Sequence, residues 1–321
     1  MKKILLLAVA LLLTACANNT DVLNVQTKQI EEKTFTVGKD IYLITKPNQD
    51  ERTVKAMETA AKQAAERFNY EVEIYTPTSA ADAVNNLKSI PGKENIAGIV
   101  IAADGAKMGK TLSQVSGTGI PIVGIGENSA AALPFGALGF VGVTDAGTGN
   151  AVGSRFKALN KENLLCITST SAAKSREVAL CREAGNILKS SAVISVKVSA
   201  KAAPESIRKA IAGDKDVDAI LLANPKLIGI FNKARENVVR NLIVGVMGYS
   251  EILENELRNG QILFMTDNQE AMQARYAVDM LGTFLTTAGR VGNGTPVLTG
   301  PDIVTAATID AVVLARKQYQ R

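Results

Sequence analysis

Short aliphatic and β-branched runs alternate with amphipathic stretches from Lys39 onward, and the series then starts a second time after Asp145. That alternation restricts the chain to parallel α/β units. The first series places strands at Ile41 to Thr45, Glu71 to Tyr75, Ala97 to Ala102, Pro121 to Ile125 and Leu138 to Val143. The second places them at Asn163 to Thr168, Ala192 to Val198, Ala219 to Ala223, Asn241 to Val246 and Gln261 to Met265. Between the strands, apolar residues recur at helical spacing, as Val54, Met57, Ala61, Ala64, Ala65 and Phe68 do over Glu51 to Phe68. Further helices are expected near Arg176 to Leu188, Pro204 to Ile211, Leu227 to Asn237, Ser250 to Arg258 and Gln269 to Thr287, before an extended segment, Pro296 to Val304. The expected fold is α/β: two doubly wound, Rossmann-like parallel-sheet lobes, with loops at the carboxyl ends of their strands facing a cleft between them.

The first residues carry a different signal. Lys2 and Lys3 precede an apolar run from Ile4 to Leu13, which ends in Thr14, Ala15 and Cys16. A run of about 10 residues is too short to span a bilayer permanently, and its basic and small-residue flanks suit processing. The segment resembles a bacterial lipoprotein signal peptide, with LTAC as its cleavage box. The resemblance implies removal of residues 1–15, acylation of Cys16 and a place in the cell envelope, in the periplasm or on the outer face of the cytoplasmic membrane. Residues 16–39 are polar and aperiodic, as a flexible tether would be. The later apolar runs are too short to be membrane spans.

Composition excludes whole classes of chemistry. With no histidine in the chain, Ser-His-Asp hydrolysis, imidazole bases and His-ligated zinc are closed to it. Lys and Arg number 36 against 31 Asp and Glu, a net charge of +5 without a basic stripe, so nucleic acid is not an expected partner. Cys166 and Cys181 lack metal spacing, and either a disulfide between a strand and the next helix or two buried thiols would suit them. No metal and no cofactor is expected. The string GTGNAVG, with Gly147, Gly149 and Gly153, imitates a dinucleotide turn but follows the fifth strand rather than the first. The following strand, LLCITSTS, also ends without a ribose-binding acid, so close helix packing is the better use of these glycines.

Several motifs in the second half carry a wider resemblance: TSAAKSREVALCREAG (Thr170 to Gly185), DVDAILLANP (Asp216 to Pro225), VGVTDAGTGNAVG (Val141 to Gly153), TDNQEAMQA (Thr266 to Ala274) and TGPDIVT (Thr299 to Thr305). From Lys39 to Thr308 the layout resembles the type I periplasmic solute-binding proteins of the ribose and simple-sugar class. The resemblance implies three crossover segments between the lobes, a ligand-binding arginine at Arg176, an asparagine at Asn224, and cleft positions at Thr144, Asp145 and Asn268. Asp145 is also placed to cap a helix. On this basis 40–144 with 268–295 would form one lobe and 145–267 with 296–321 the other.

The chain departs from the family at three places, two in the first half and one in the second. KPNQDERTV (Lys46 to Val54) lacks the two aromatics that stack on sugar rings, Gly126 and Glu127 stand where an acid and a base are expected, and VMGY puts Val246 and Met247 in place of an aromatic and an aspartate. The cleft residues expected are therefore Lys46, Asn48, Asp50, Asp104, Glu127, Thr144, Asp145, Arg176, Asn224, Met247, Tyr249 and Asn268. Such a set suits a small polar or anionic solute, or a furanose-like polyol, better than a pyranose. The resemblance implies a non-enzymatic, monomeric, lipid-anchored receptor that closes on a sugar, polyol or related solute for an ABC importer permease. The alternative is a sensory or interaction lipoprotein of the same fold signalling to a membrane partner, with an NAD(P) oxidoreductase behind both.

Overall fold

Strands covered on both faces need no polar alternation, and the aliphatic runs form two such sheets. In the computed structural model, which describes residues 38–102, 105–127, 132–169, 175–236, 238, 240–292 and 294–318, the first series is β1 (Asp40–Ile44), α1 (Glu51–Glu66), β2 (Glu71–Tyr75), α2 (Ala80–Ser89), β3 (Ile96–Ala102), α3 (Gly105–Ser116), β4 (Ile122–Gly126) and β5 (Gly139–Gly142). The chain crosses at residues 143–144 into the second lobe. There follow α4 (Asp145–Ala158), β6 (Asn163–Thr168), α5 (Arg176–Gly185), β7 (Ser190–Ser195), α6 (Ala203–Gly213), β8 (Ala219–Leu222), α7 (Ile228–Arg235), β9 (Ile243–Val246), α8 (Glu251–Arg258) and β10 (Phe264–Asp267). It returns at residues 268–269 to α9 (Glu270–Thr287) and β11 (Val297–Leu298), then crosses again at 299–301 to β12 (Asp302–Thr305) and α10 (Ile309–Gln318). The first sheet runs β11-β5-β4-β3-β1-β2 and the second β12-β10-β9-β8-β6-β7. Among the described strands only β12 is antiparallel to its neighbour.

The period-two geometry of a strand divides each core into two layers. On one face of the first sheet Ile41 and Leu43 pack with Met57 and Ala61 of α1 and Val278 and Leu281 of α9. On the other, Tyr42 and Ile44 meet Leu87 of α2 and Leu112 of α3. The second sheet repeats the arrangement, with Leu165 and Ile167 against Ile207 and Phe231, and Leu164 and Cys166 against Phe156, Leu180 and Cys181. Each fully buried Leu, Ile or Phe contributes about 1.5–3 kcal/mol.

Three expectations change. Val297 and Leu298 pair with Val141 and Gly142, so they belong to the first sheet rather than to the second lobe, and the last crossing lies after them. The strand expected at 192–198 begins at Ser190, because this edge needs only backbone pairing with β6 and carries no apolar signal there. The helix α10 was not anticipated: Ile309 is its one fully buried residue among those described, so it lacks a marked apolar stripe.

The glycine string opening α4 serves helix packing. A Cβ at Gly153 would lie 2.4 Å from the Ala184 carbonyl oxygen, and one at Gly149 3.0 Å from the Ala184 nitrogen, so α4 rests directly on the α5 backbone. Backbone cannot move aside as a side chain can. Gly153→Ala should therefore destabilise the protein by about 1–3 kcal/mol through overpacking, outweighing the helix-propensity gain of about 1 kcal/mol. An unchanged urea midpoint would show that the two helices separate freely.

Candidate binding cleft

The carboxyl ends of both sheets deliver polar residues to one place. Lys46 follows β1, Glu127 follows β4, Arg176 and Glu177 open α5, Asn224 follows β8, and Asn268 lies in the second crossing. Ser175 caps α5 through the Val178 N–H, which holds Arg176 and Glu177 in the first turn, where a helix terminus favours the carboxylate. Gly248 adopts φ +91°, which turns the chain after β9, and its N–H donates to Thr266 Oγ1 at 2.8 Å.

Glu127 is the centre of the polar cluster. Its Oε1 accepts from Lys46 Nζ at 3.2 Å and from Asn268 Nδ2 at 2.7 Å, and Arg176 Nη1 lies 3.3 Å from Oε2. Burial pushes the Glu127 carboxyl up, but the Arg176 and Lys46 charges together outweigh it and hold it below the usual carboxylate range. Arg176 also donates through Nε to Asp145 Oδ1 at 2.8 Å. For Asp145 the balance is the reverse: burial, helped by the nearby Glu127 and Glu183 charges, raises it more than Arg176 lowers it. Arg176 thus joins a first-lobe carboxylate to a second-lobe one.

Beside this cluster lies a cavity of about 330 Å³, lined by Glu127, Thr148, Arg176, Glu177, Asn224, Met247 and Asn268 among others, with no aromatic among the described residues. Glu177 accepts from Ser169 N at 2.5 Å, Ser169 Oγ at 2.6 Å and Asn224 Nδ2 at 2.5 Å, all uncharged donors. Asn224 Oδ1 accepts the Lys226 N–H and so also caps the short turn Pro225–Leu227. Two buried atoms on this wall have no hydrogen-bond partner, Asn268 Oδ1 and Thr148 Oγ1. Buried polar atoms are normally satisfied, so these two ask for a ligand or water.

The structure brings together Glu127, Arg176, Asn224, Met247 and Asn268 on the cavity wall, with Lys46 and Asp145 behind it. Other expected residues are spent elsewhere. Asn48 turns away, donating to the Thr78 carbonyl at 3.0 Å from a left-handed backbone of φ 53°. Asp50 caps α1 through the Thr53 N–H at 2.9 Å. Thr144 caps α4 through the Gly147 N–H at 3.0 Å, leaving Asp145 free to pair with Arg176. Tyr249 stacks beneath Arg316, whose guanidinium carbon lies 3.7 Å from the ring centroid, and donates its hydroxyl to Glu254. Asp50 and Tyr249 border a larger outer opening of about 660 Å³ instead. Asp104 and Cys16 lie outside the described residues. Cys166 and Cys181 form a disulfide joining β6 to α5.

Sequence reasoning missed Glu177 and Thr148. Glu177 stands next to the arginine and reads as ordinary helix-start acidity; Thr148 sits inside the glycine string.

Solved structures with the same two-lobed arrangement include a carbohydrate transporter from Acidothermus cellulolyticus in complex with myo-inositol, 19% identical, TM-score 0.71, covering 88% of this chain and 100% of that one. A periplasmic ribose ABC transporter from Conexibacter woesei is 16% identical, TM-score 0.73, over 90% and 100%. The arabinose binding protein AraP of Geobacillus stearothermophilus is 19% identical, TM-score 0.70, over 85% and 99%. The chain has the type I periplasmic-binding-protein fold. No protein-family model matches it, and no curated protein does. At these identities the shared property is the architecture, and the chemistry of the cleft has to be argued from the residues that this chain puts there. No helix among the described residues is long and apolar enough to cross a membrane.

Proposed function

We propose that this protein is an extracytoplasmic solute receptor, lipid-anchored at Cys16, that closes its lobes on a small polar solute such as a sugar or polyol and presents it to an ABC importer permease. The cavity with its two unpartnered buried atoms, Asn268 Oδ1 and Thr148 Oγ1, carries the reading, because a hydroxyl-rich ligand supplies what they lack. The solved structures of the same fold, described as carbohydrate, ribose and arabinose binders or transporters, support it. The mechanism is hinge closure over three crossings, and no covalent step is involved. Two cross-lobe ion pairs, Arg176 with Glu127 and Arg52 with Glu251, form only when the lobes approach. A solute that binds the closed form better than the open one shifts the population toward it.

A thermal-shift screen of the purified protein against pentoses, hexoses, polyols, nucleosides and small acids tests this. A solute at 100 times its Kd stabilises the protein by about 2.7 kcal/mol, a rise of several degrees in Tm. No shift with any class would remove the receptor reading.

A further inference from the structure

The solute reading leaves the ligand's charge open, and the cavity wall narrows it. Among the described residues the cluster comprises two cations, Lys46 and Arg176, and three carboxylates, Glu127, Asp145 and Glu177. Arg176 is already held between two of those carboxylates, and Lys46 by one. Glu177 is different. Among the described residues its oxygens accept from Ser169 and Asn224 alone, and no cation lies within ion-pair distance of it. The helix terminus and three neutral donors hold this carboxylate, but no cation among the described residues pairs with it, which leaves the ion-pair position to a ligand.

A second observation on the same wall points to a ligand that donates. Asn268 is 7% exposed and its Oδ1, an acceptor only, has no partner; Thr148 is 1% exposed and its Oγ1 has none either. A ligand anion would find Arg176 occupied, Glu177 repelling it and Asn268 offering an acceptor. We propose that the cavity takes a small hydroxylated amine, with its ammonium against the Glu177 carboxylate and its remaining donors reaching Asn268 and Thr148. The inference rests on the solute-receptor reading and specifies its substrate class as cationic. It replaces the anionic option left open by the sequence, and it sets neutral polyols behind amines of the same skeleton. Met247 completes the wall as an apolar, buried side chain, suited to the carbon face of such a molecule.

Calorimetric titration of the purified protein with sets that vary the charge at one carbon tests the proposal: sorbitol, glucamine and gluconate, then glucose, 6-amino-6-deoxyglucose and glucuronate. The amine of at least one set should bind at least tenfold more tightly than its neutral partner, with the acid not binding. Glu177→Gln should weaken the amine by at least tenfold, and by more than it weakens the neutral partner, so that the preference is lost. If a neutral or acidic member binds best, the amine inference fails and the receptor reading stands. Binding of none, together with an empty thermal-shift screen, would remove both. An amine preference that survives Glu177→Gln would overturn the assignment of Glu177.

Discussion

Arg316→Met is expected to cost about 3–5 kcal/mol of stability, since removing one partner of a buried ion pair leaves the other charge uncompensated. Arg316, on α10, reaches Asp267 at 2.6 Å and Glu270 at 3.8 Å, and its side chain is 20% exposed against 8% and 18% for theirs. Without it two adjacent carboxylates at the second crossing face each other, and the Tyr249 ring loses its stacking partner. The loss should depend on pH. Burial first, and Asp267 second, push the Glu270 carboxyl above its usual range. A carboxyl raised in the folded state binds its proton more tightly there than in the unfolded chain. Its contribution to stability is therefore present below the unfolded value of about 4.3 and is lost as pH rises through the folded value. The deficit of the variant should accordingly be largest near neutrality and shrink toward about pH 5. Urea midpoints at the two pH values measure it, and an equal deficit at both would mean that packing over Tyr249, not charge, is what Arg316 supplies.

Removing the disulfide has the next largest expected effect. Cys166 and Cys181 are 15 residues apart, and a cross-link of that length stabilises by about 3 kcal/mol through the unfolded chain. Cys166→Ala with Cys181→Ala should lower the urea midpoint accordingly. Adding reductant to the folded protein should leave it unaffected, since both cysteines are fully buried. The cross-linked segment holds Ser169 and the start of α5, so the double variant should also loosen the Ser169 contacts to Glu177. If the midpoint is unchanged, the packing of Leu180 and Ala184 against Phe156 and Phe264 suffices to seat α5.

Much of the fold was legible because parallel strands buried on both faces leave continuous aliphatic runs such as Ile96–Ala102, and because α1 shows its apolar face at helical spacing. The sheet that Val297–Leu298 joins was not: the segment reads as extended, but its partners at 141 and 142 are remote and two residues carry no period that would assign a lobe. The site was legible by place more than by direction. Arg176, Asn224 and Asn268 stand at the start of α5, after β8 and in the second crossing, and all three line the cavity. Asn48, Asp50 and Thr144 stand at equally suitable positions, but each lies beside an unsatisfied backbone group, and capping or turn bonds claimed their side chains first. Tyr249 was claimed by Arg316, a residue of the unanticipated helix.

The return of the chain at residues 268–269 has a kinetic meaning. The core layer of the first sheet that contains Ile41 and Leu43 includes Ala274, Ala277, Val278 and Leu281, more than two hundred residues later, and its edge strand ends at Leu298. The first lobe therefore cannot finish folding during synthesis of its own strands; it waits until nearly the whole polypeptide has emerged. Contacts so distant in sequence slow folding through the entropy of closing large loops. For a chain exported unfolded, as the proposed lipoprotein signal requires, that delay leaves a threadable polypeptide for longer.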